Sequence, residues 1–188
     1  MGVETEIKIR WTRGVEALRE LMLSRGYTIR RERELESDQL YDHPALLLKS
    51  AGKLLRLRTA GDRWIVTFKG PRLTDADGAA VHKSREEIET QVGDGLEFAA
   101  ILDRLGYAPG FRYEKFRTTF GLEGELGIVT LDQTPIGDFL ELEGPADWID
   151  RTAGQLGFGP GAYINMSYAG LYAEHRKEHP ESSLNMTF

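Results

Sequence analysis

Hydrophobic and polar positions along the chain follow two periods, and period two dominates from Val3 to about Glu143. Over Val3 to Arg10 the polar Glu4, Glu6, Lys8 and Arg10 share one parity while Val3, Ile7 and Ile9 share the other, as a strand with one polar face requires. Val15, Leu18, Leu21 and Met22 then recur at three- and four-residue spacing, with Gly26 placed as a C-terminal cap, which predicts a helix over 14–25. Residues 27–42 read as extended up to the turn signal Asp42-His43-Pro44, and 54–60 with 63–70 read as a hairpin around Ala60-Gly61-Asp62. The Gly-, Asp- and Ala-rich stretch from Pro71 to Ala80 reads as a mobile loop. A strand over 82–92 precedes a helix capped by Asp94, carrying Leu96, Ala99, Ala100 and Leu102 and stopping at Gly106. Three more strands follow at 111–121, 126–133 and 136–143. Asp147 reads as the cap of a helix with Trp148, Ile149, Thr152, Ala153 and Leu156 that closes at Gly157, and a short helix lies near Met166 to Glu174. With no internal repeat and no linker, residues 1–174 read as a single domain, and 175–188 as a polar, flexible C-terminal tail.

Where the charges fall within the strands changes the picture. Arg56 and Arg58 alternate with Leu55 and Leu57, and Lys69 shares parity with Thr67 opposite Trp64, Val66 and Phe68. Arg85, Glu87 and Glu89 lie on one face, as do Lys115 and Arg117; Asp132 opposes Val129 and Leu131, and Glu141 and Glu143 alternate with Leu140 and Leu142. One such strand is an antiparallel strand with a wet face. Repeated through strand after strand with both signs, the pattern predicts an α+β fold: a closed eight-stranded antiparallel β-barrel, helices packed on its apolar outside and the ionic faces within. Such an interior has room for side chains or one small ligand. Filling it with ions is costly unless they are paired, hydrated or bound to something ionic. Arginines and lysines suit phosphoryl oxygens, and clustered carboxylates are hard oxygen ligands for Mg²⁺ or Mn²⁺. A polyphosphate with a divalent metal satisfies both sets.

Composition narrows the classes. The 188 residues carry 24 Lys and Arg against 30 Asp and Glu, and the net charge of −6 argues against a nucleic-acid backbone as main partner. The absence of cysteine excludes disulfides, thiolate zinc sites and cysteine nucleophiles. The N-terminus lacks the basic start and apolar run of a signal peptide, and no stretch is apolar enough for a membrane span, so a soluble cytoplasmic protein with no membrane partner is expected.

The opening Glu4-Thr5-Glu6-Ile7-Lys8 is an ExExK signature, followed in order by Leu55-Arg56-Leu57-Arg58, Phe68-Lys69-Gly70-Pro71, Arg85-Glu86-Glu87-Ile88-Glu89, Glu114-Lys115-Phe116-Arg117, Leu131-Asp132, Gly137-Asp138-Phe139-Leu140-Glu141-Leu142-Glu143 and Ser167-Tyr168. With this set the sequence resembles the CYTH superfamily, the triphosphate tunnel metalloenzymes, and most of all its class IV adenylyl cyclase and thiamine triphosphatase-like branch. The resemblance implies a β tunnel that binds a triphosphate with Mg²⁺ or Mn²⁺ and acts on a phosphoanhydride. It implies metal ligands at Glu4, Glu6, Glu87, Glu89, Asp132, Glu141 and Glu143, and triphosphate contacts from Lys8, Arg56, Arg58, Lys69, Arg85, Lys115 and Arg117. Glu4, Glu6, Lys8 and Lys69 are the catalytic candidates. The implied substrates are tripolyphosphate, ATP or thiamine triphosphate, and a homodimer is implied as well.

Several residues carry a plainer reading. Lys115 either joins the phosphate contacts or stands solvated at the tunnel rim. His43 reads as a turn residue, Trp64 as an outer-face packing residue, and the four histidines show no metal-ligand spacing. Hydrolysis of a triphosphate to diphosphate and phosphate needs only tunnel, metal and water. Cyclisation of ATP to cyclic AMP and pyrophosphate also needs a base pocket and an aimed ribose, for which no residue can be named. A non-catalytic polyphosphate or nucleotide-binding module, and a barrel whose inner charges merely pair, complete the alternatives.

Overall fold

The computed structural model describes residues 2–73 and 81–188. Eight strands form a closed barrel: β1 (Gly2–Trp11), β2 (Thr28–Asp42), β3 (Leu54–Ala60), β4 (Arg63–Leu73), β5 (Lys83–Val92), β6 (Ala108–Gly121), β7 (Ile128–Thr134) and β8 (Gly137–Glu143). Around it lie α1 (Val15–Ser24), a single-turn α2 (Leu47–Ser50), α3 (Gly95–Arg104), α4 (Ala146–Gln155) and α5 (Tyr168–Glu178). The strand order is β1-β5-β4-β3-β2-β6-β7-β8, every pair antiparallel. Of the loop predicted over Pro71 to Ala80, residues 74–80 lie outside the described residues, and Pro71 to Leu73 continue β4. No helix among the described residues is long and apolar enough to cross a membrane.

The alternation places the apolar parity outside, where helices cover it. Ile7 and Ile9 of β1, Val129 and Leu131 of β7, and Leu140 and Leu142 of β8 form one core with Leu18 and Met22 of α1 and Trp148, Ile149 and Ala153 of α4. A second core joins Leu57 and Tyr41 to Leu102 of α3, with Trp64, Val66, Phe98 and Ala99 packed against it. Trp64 thus takes the outer face that its parity predicts. Helices α1, α3 and α4 end alike: in each, the amide two residues past the last helical turn's cap reaches back to a carbonyl, as in Tyr27 to Met22, Tyr107 to Leu102 and Phe158 to Ala153, around Gly26, Gly106 and Gly157 at positive φ. Asp94 caps α3 by accepting from Leu96 and Glu97. Asp147 does not cap α4. The helix begins one residue earlier, after Pro145, and Asp147 sits in its first turn, where its charge suits the helix dipole.

A third cluster lies inside the barrel at one end. Tyr113 shares parity with Lys115, and Phe139 with Glu141, so both point inward, where they meet Tyr168 and Tyr172 of α5 and the fully buried Met186. Helix α5, capped by Ser167, therefore plugs this end of the tunnel. The last residues, expected as a fraying tail, lie against β6 instead. Pairing of β6 with β7 stops at Phe116, which leaves the edge groups of Arg112 and Glu114 without a strand. Met186 fills that gap, its N–H donating to Arg112 O and its carbonyl accepting from Glu114 N, while Tyr172 donates to Ser183 O.

Two glycines give opposite expectations. A Cβ at Gly95 would stand 2.1 Å from the Trp64 ring, whereas one at Gly154, within α4, meets nothing within 4 Å. Gly95→Ala should lower unfolding free energy by about 1–3 kcal/mol through overpacking, and Gly154→Ala should raise it by roughly 0.5–1 kcal/mol. Urea denaturation of both variants checks the outer packing.

Candidate functional site

The inner face forms a cavity of about 600 Å³, and of the predicted site residues all but Asp132 line it. Its closed end is an ion network under Tyr168. Asp132, fully buried, accepts from Lys115 Nζ at 2.8 Å, from Arg117 Nε at 2.6 Å and from the Tyr168 hydroxyl at 2.7 Å. Arg117 also reaches Glu141, whose other oxygen lies 2.5 Å from Lys8 Nζ. The Lys8 and Lys115 ammonium groups stand 4.8 and 5.1 Å from the centre of the Tyr168 ring. Lys115 is only 2% exposed, so it is not the solvated rim residue that one reading allowed. Asp132 has its oxygens filled by these donors, which leaves it positioning the cations and not facing the cavity.

Two carboxylates that the sequence reading does not select hold the basic wall. Strand β2 lies between β3 and β6, so its inward Glu36 and Asp38 meet the cations of both neighbours. Asp38 accepts from Arg58 Nε at 2.8 Å and Nη2 at 3.2 Å, and Arg56 Nε lies 3.3 Å away. Glu36 stands 3.0 Å from Arg58, 3.5 Å from Lys115 and 3.7 Å from Arg117. The signal is present in the alternation Glu34-Leu35-Glu36-Ser37-Asp38. Lys83, on the parity of Arg85, is a further buried cation and pairs with Glu6.

The acidic wall is built by three adjacent strands, β8, β1 and β5. Glu6 stands opposite Glu143 in the β1–β8 register, and Glu4 and Glu87 share Lys69, at 2.5 and 3.0 Å. Burial, together with the neighbouring charges of Glu4, Glu141 and Glu6, pushes Glu143 up to about 7. Burial and the hydrogen bond shared with Glu4 likewise push Glu87 up to about 7. Burial also acts on Glu6, but Lys8 and Lys83 outweigh it and hold that carboxyl at about 2, whereas for Lys83 burial wins and lowers it to about 8. Glu89 sits apart, accepting from Thr67 and 3.6 Å from Arg56.

Among the described residues no three acidic or imidazole side chains are already gathered as a metal-ligand set, since Glu4, Glu6 and Glu87 face lysines. The chemistry of the donors nevertheless fits a hard divalent cation. Glu4, Glu6, Glu87 and Glu143 offer carboxylate oxygens only, and burial together with mutual repulsion raises Glu87 and Glu143, a cost that a dication relieves. Asp132 and Glu141 are committed to cations at the closed end.

Buried Glu36 yields a pH expectation. Burial raises its carboxyl, but Arg117, Arg58 and Lys115 outweigh burial and hold it at about 2. A folded value below the unfolded one stabilises the fold above the ordinary carboxylate range, and the contribution disappears as pH falls toward 2. Urea unfolding followed from pH 6 to pH 2 should show this acid loss in wild type and a shallower one in Glu36→Gln.

Comparison with known proteins agrees with this geometry. Residues 2–151 match the CYTH domain. A Methanocaldococcus jannaschii protein named "putative adenylate cyclase" is 26% identical over 144 residues, 75% of this chain and 76% of that protein. A solved structure of a "putative adenylate cyclase" from Vibrio parahaemolyticus superposes with a TM-score of 0.76 at 22% identity, covering 90% of this chain and 97% of that one. A Hippeastrum protein, described as a "putative adenylyl cyclase" with a dominant triphosphatase activity, superposes with a TM-score of 0.63 at 18% identity, covering 92% and 96%. With the barrel, its inward charges and a match over most of its length, the chain belongs to the CYTH domain family.

Proposed function

We propose that the tunnel is an enzyme site that binds the phosphate chain of a triphosphate compound with Mg²⁺ or Mn²⁺ and hydrolyses its terminal anhydride to diphosphate and phosphate. The observation that carries this reading is the opposition of an acidic wall, Glu143, Glu6, Glu4 and Glu87, to cations from β3, β4 and β6 across one cavity. A divalent cation held by those four carboxylates would neutralise phosphoryl oxygens and polarise the phosphorus toward water.

The chain's own residues then hold the substrate. Among the described residues Arg85 Nε is buried without a hydrogen-bond partner, a donor that a phosphoryl oxygen would satisfy, and Arg56, held beside Asp38, faces the same cavity. Lys69 stands between Glu4 and Glu87, where it can pass from carboxylate to phosphate as the chain enters. Arg58, Lys115 and Arg117 are fixed by Glu36, Asp38 and Asp132, so their positive field is preorganised before charge moves toward the leaving diphosphate. Lys8 extends that field from β1. The plug at Tyr168 makes the tunnel blind, which favours a chain held by its terminal phosphate.

The names of two relatives favour a second reading, cyclisation of ATP, in which the ribose 3′-hydroxyl attacks the α-phosphorus and pyrophosphate leaves. Tripolyphosphate, ATP and thiamine triphosphate, each with Mg²⁺ or Mn²⁺, separate the two when products are resolved by ³¹P NMR and chromatography. Orthophosphate from tripolyphosphate is the expected result; cyclic AMP with pyrophosphate establishes the cyclase. Tight binding without any product would leave a non-catalytic module.

Substitutions are best placed at groups the fold does not use in pairs. Arg85→Gln should weaken tripolyphosphate binding roughly tenfold with the urea midpoint unchanged, because among the described residues no carboxylate partners Arg85 in an ion pair. Glu143→Gln should raise the Mn²⁺ concentration needed for half activity roughly tenfold or more, again without loss of fold. Titrations of metal and substrate against turnover check both.

A further inference from the structure

We propose that Arg30 and Arg31 form an anion subsite at the tunnel mouth for a fourth or later phosphate of a chain whose first three lie inside; this rests on the triphosphate reading above. Consecutive strand residues face opposite sides, yet both of these line the cavity. The β2–β6 register shifts between Ile29 and Arg31 and again between Arg31 and Glu34, and such irregularities re-aim side chains. Arg30 lies across Gly121 of β6, where a Cβ would come within 2.7 Å of its Nε. The place is the mouth opposite the plug: following paired residues from Glu6 leads to Glu143, Ile128, Gly121 and Thr28, just before the two arginines.

Both guanidiniums are exposed, and among the described residues neither meets a carboxylate. Arg33, by contrast, is spent on the outer face, donating to Gln133 and stacking on Phe116. Deeper in the tunnel cations are balanced by buried acids; at the mouth two adjacent cations stand without that balance. Their forks match phosphate oxygens, and a 600 Å³ cavity, of the size that takes drug-sized ligands, has room beyond three phosphoryl groups. Linear polyphosphate and a nucleoside tetraphosphate share this chemistry.

The test compares wild type with the double variant Arg30→Gln/Arg31→Gln, using tripolyphosphate, tetrapolyphosphate, a longer linear polyphosphate, ATP and adenosine 5′-tetraphosphate. Calorimetric binding at low salt and turnover by ³¹P NMR run in parallel. The fourth phosphate should improve affinity roughly tenfold in wild type, lessened by salt, and the variant should lose that gain while binding tripolyphosphate as before. A gain for adenosine 5′-tetraphosphate over ATP assigns the subsite to the fourth phosphate itself, and a gain confined to inorganic chains assigns it to linear polyphosphate. No gain in wild type, or an equal loss for both chain lengths in the variant, overturns the proposal. Chains bound but not cleaved would remove the hydrolytic reading while chain length still decides this one; failure to bind tripolyphosphate at all removes both.

Discussion

Ions taken out of water must find compensation, and the interior of this barrel is organised by that requirement. Asp132, wholly buried, is compensated by Lys115, Arg117 and Tyr168, all of which donate to it. Asp38 and Glu36 in turn compensate the guanidiniums of β3 and the cations of β6. These contacts fix long, flexible side chains in one arrangement, so the entropy of ordering them is lost on folding and not on binding. A preordered positive wall follows from the need to bury acid beneath it.

Compensation is not uniform along the tunnel axis. At the plugged end every oxygen of Asp132 is served, and aromatic rings seal the network from water. Nearer the middle of the tunnel, burial and neighbouring carboxylates push Glu87 and Glu143 up to about 7, while Glu6, between two lysines, is held at about 2. Stability and binding capacity are thus separated in space. The apolar cores under α1, α3 and α4 lie outside the barrel and share no side chain with the inner wall.

The same separation explains what the sequence reveals. A barrel wall that is apolar outside and ionic inside writes a strict period of two, so the inward positions of β1, β3, β4, β5, β6, β7 and β8 and the eight strands were legible from one chain. Lys83 and Tyr113 lie on inward parities already identified, and Glu36 and Asp38 on an alternation within β2, but alternation does not say which ion meets which. Asp132 finds Lys115 on the next strand and Tyr168 on a helix far along the chain, a relation set by barrel closure alone. The C-terminal residues were illegible for another reason: their composition is polar, and what holds Met186 is the unpaired backbone edge of β6, which appears only once β7 is known to stop short.

A barrel that served only as a scaffold would be better filled with apolar side chains, since replacing buried ion pairs by well-packed hydrophobes is often neutral or stabilising. A scaffold of paired ions would at least be complete. This one leaves Arg85 Nε buried with no hydrogen-bond acceptor among the described residues, and holds Glu87 and Glu143 where burial and neighbouring carboxylates push both up to about 7. The incompleteness has both signs: among the described residues Arg85 has no carboxylate paired with it, and Glu143 has no cation. A metal-bound phosphate chain is a ligand that cancels both at once, and that pairing of deficits, more than the number of charges, argues for a binding tunnel over an inert one.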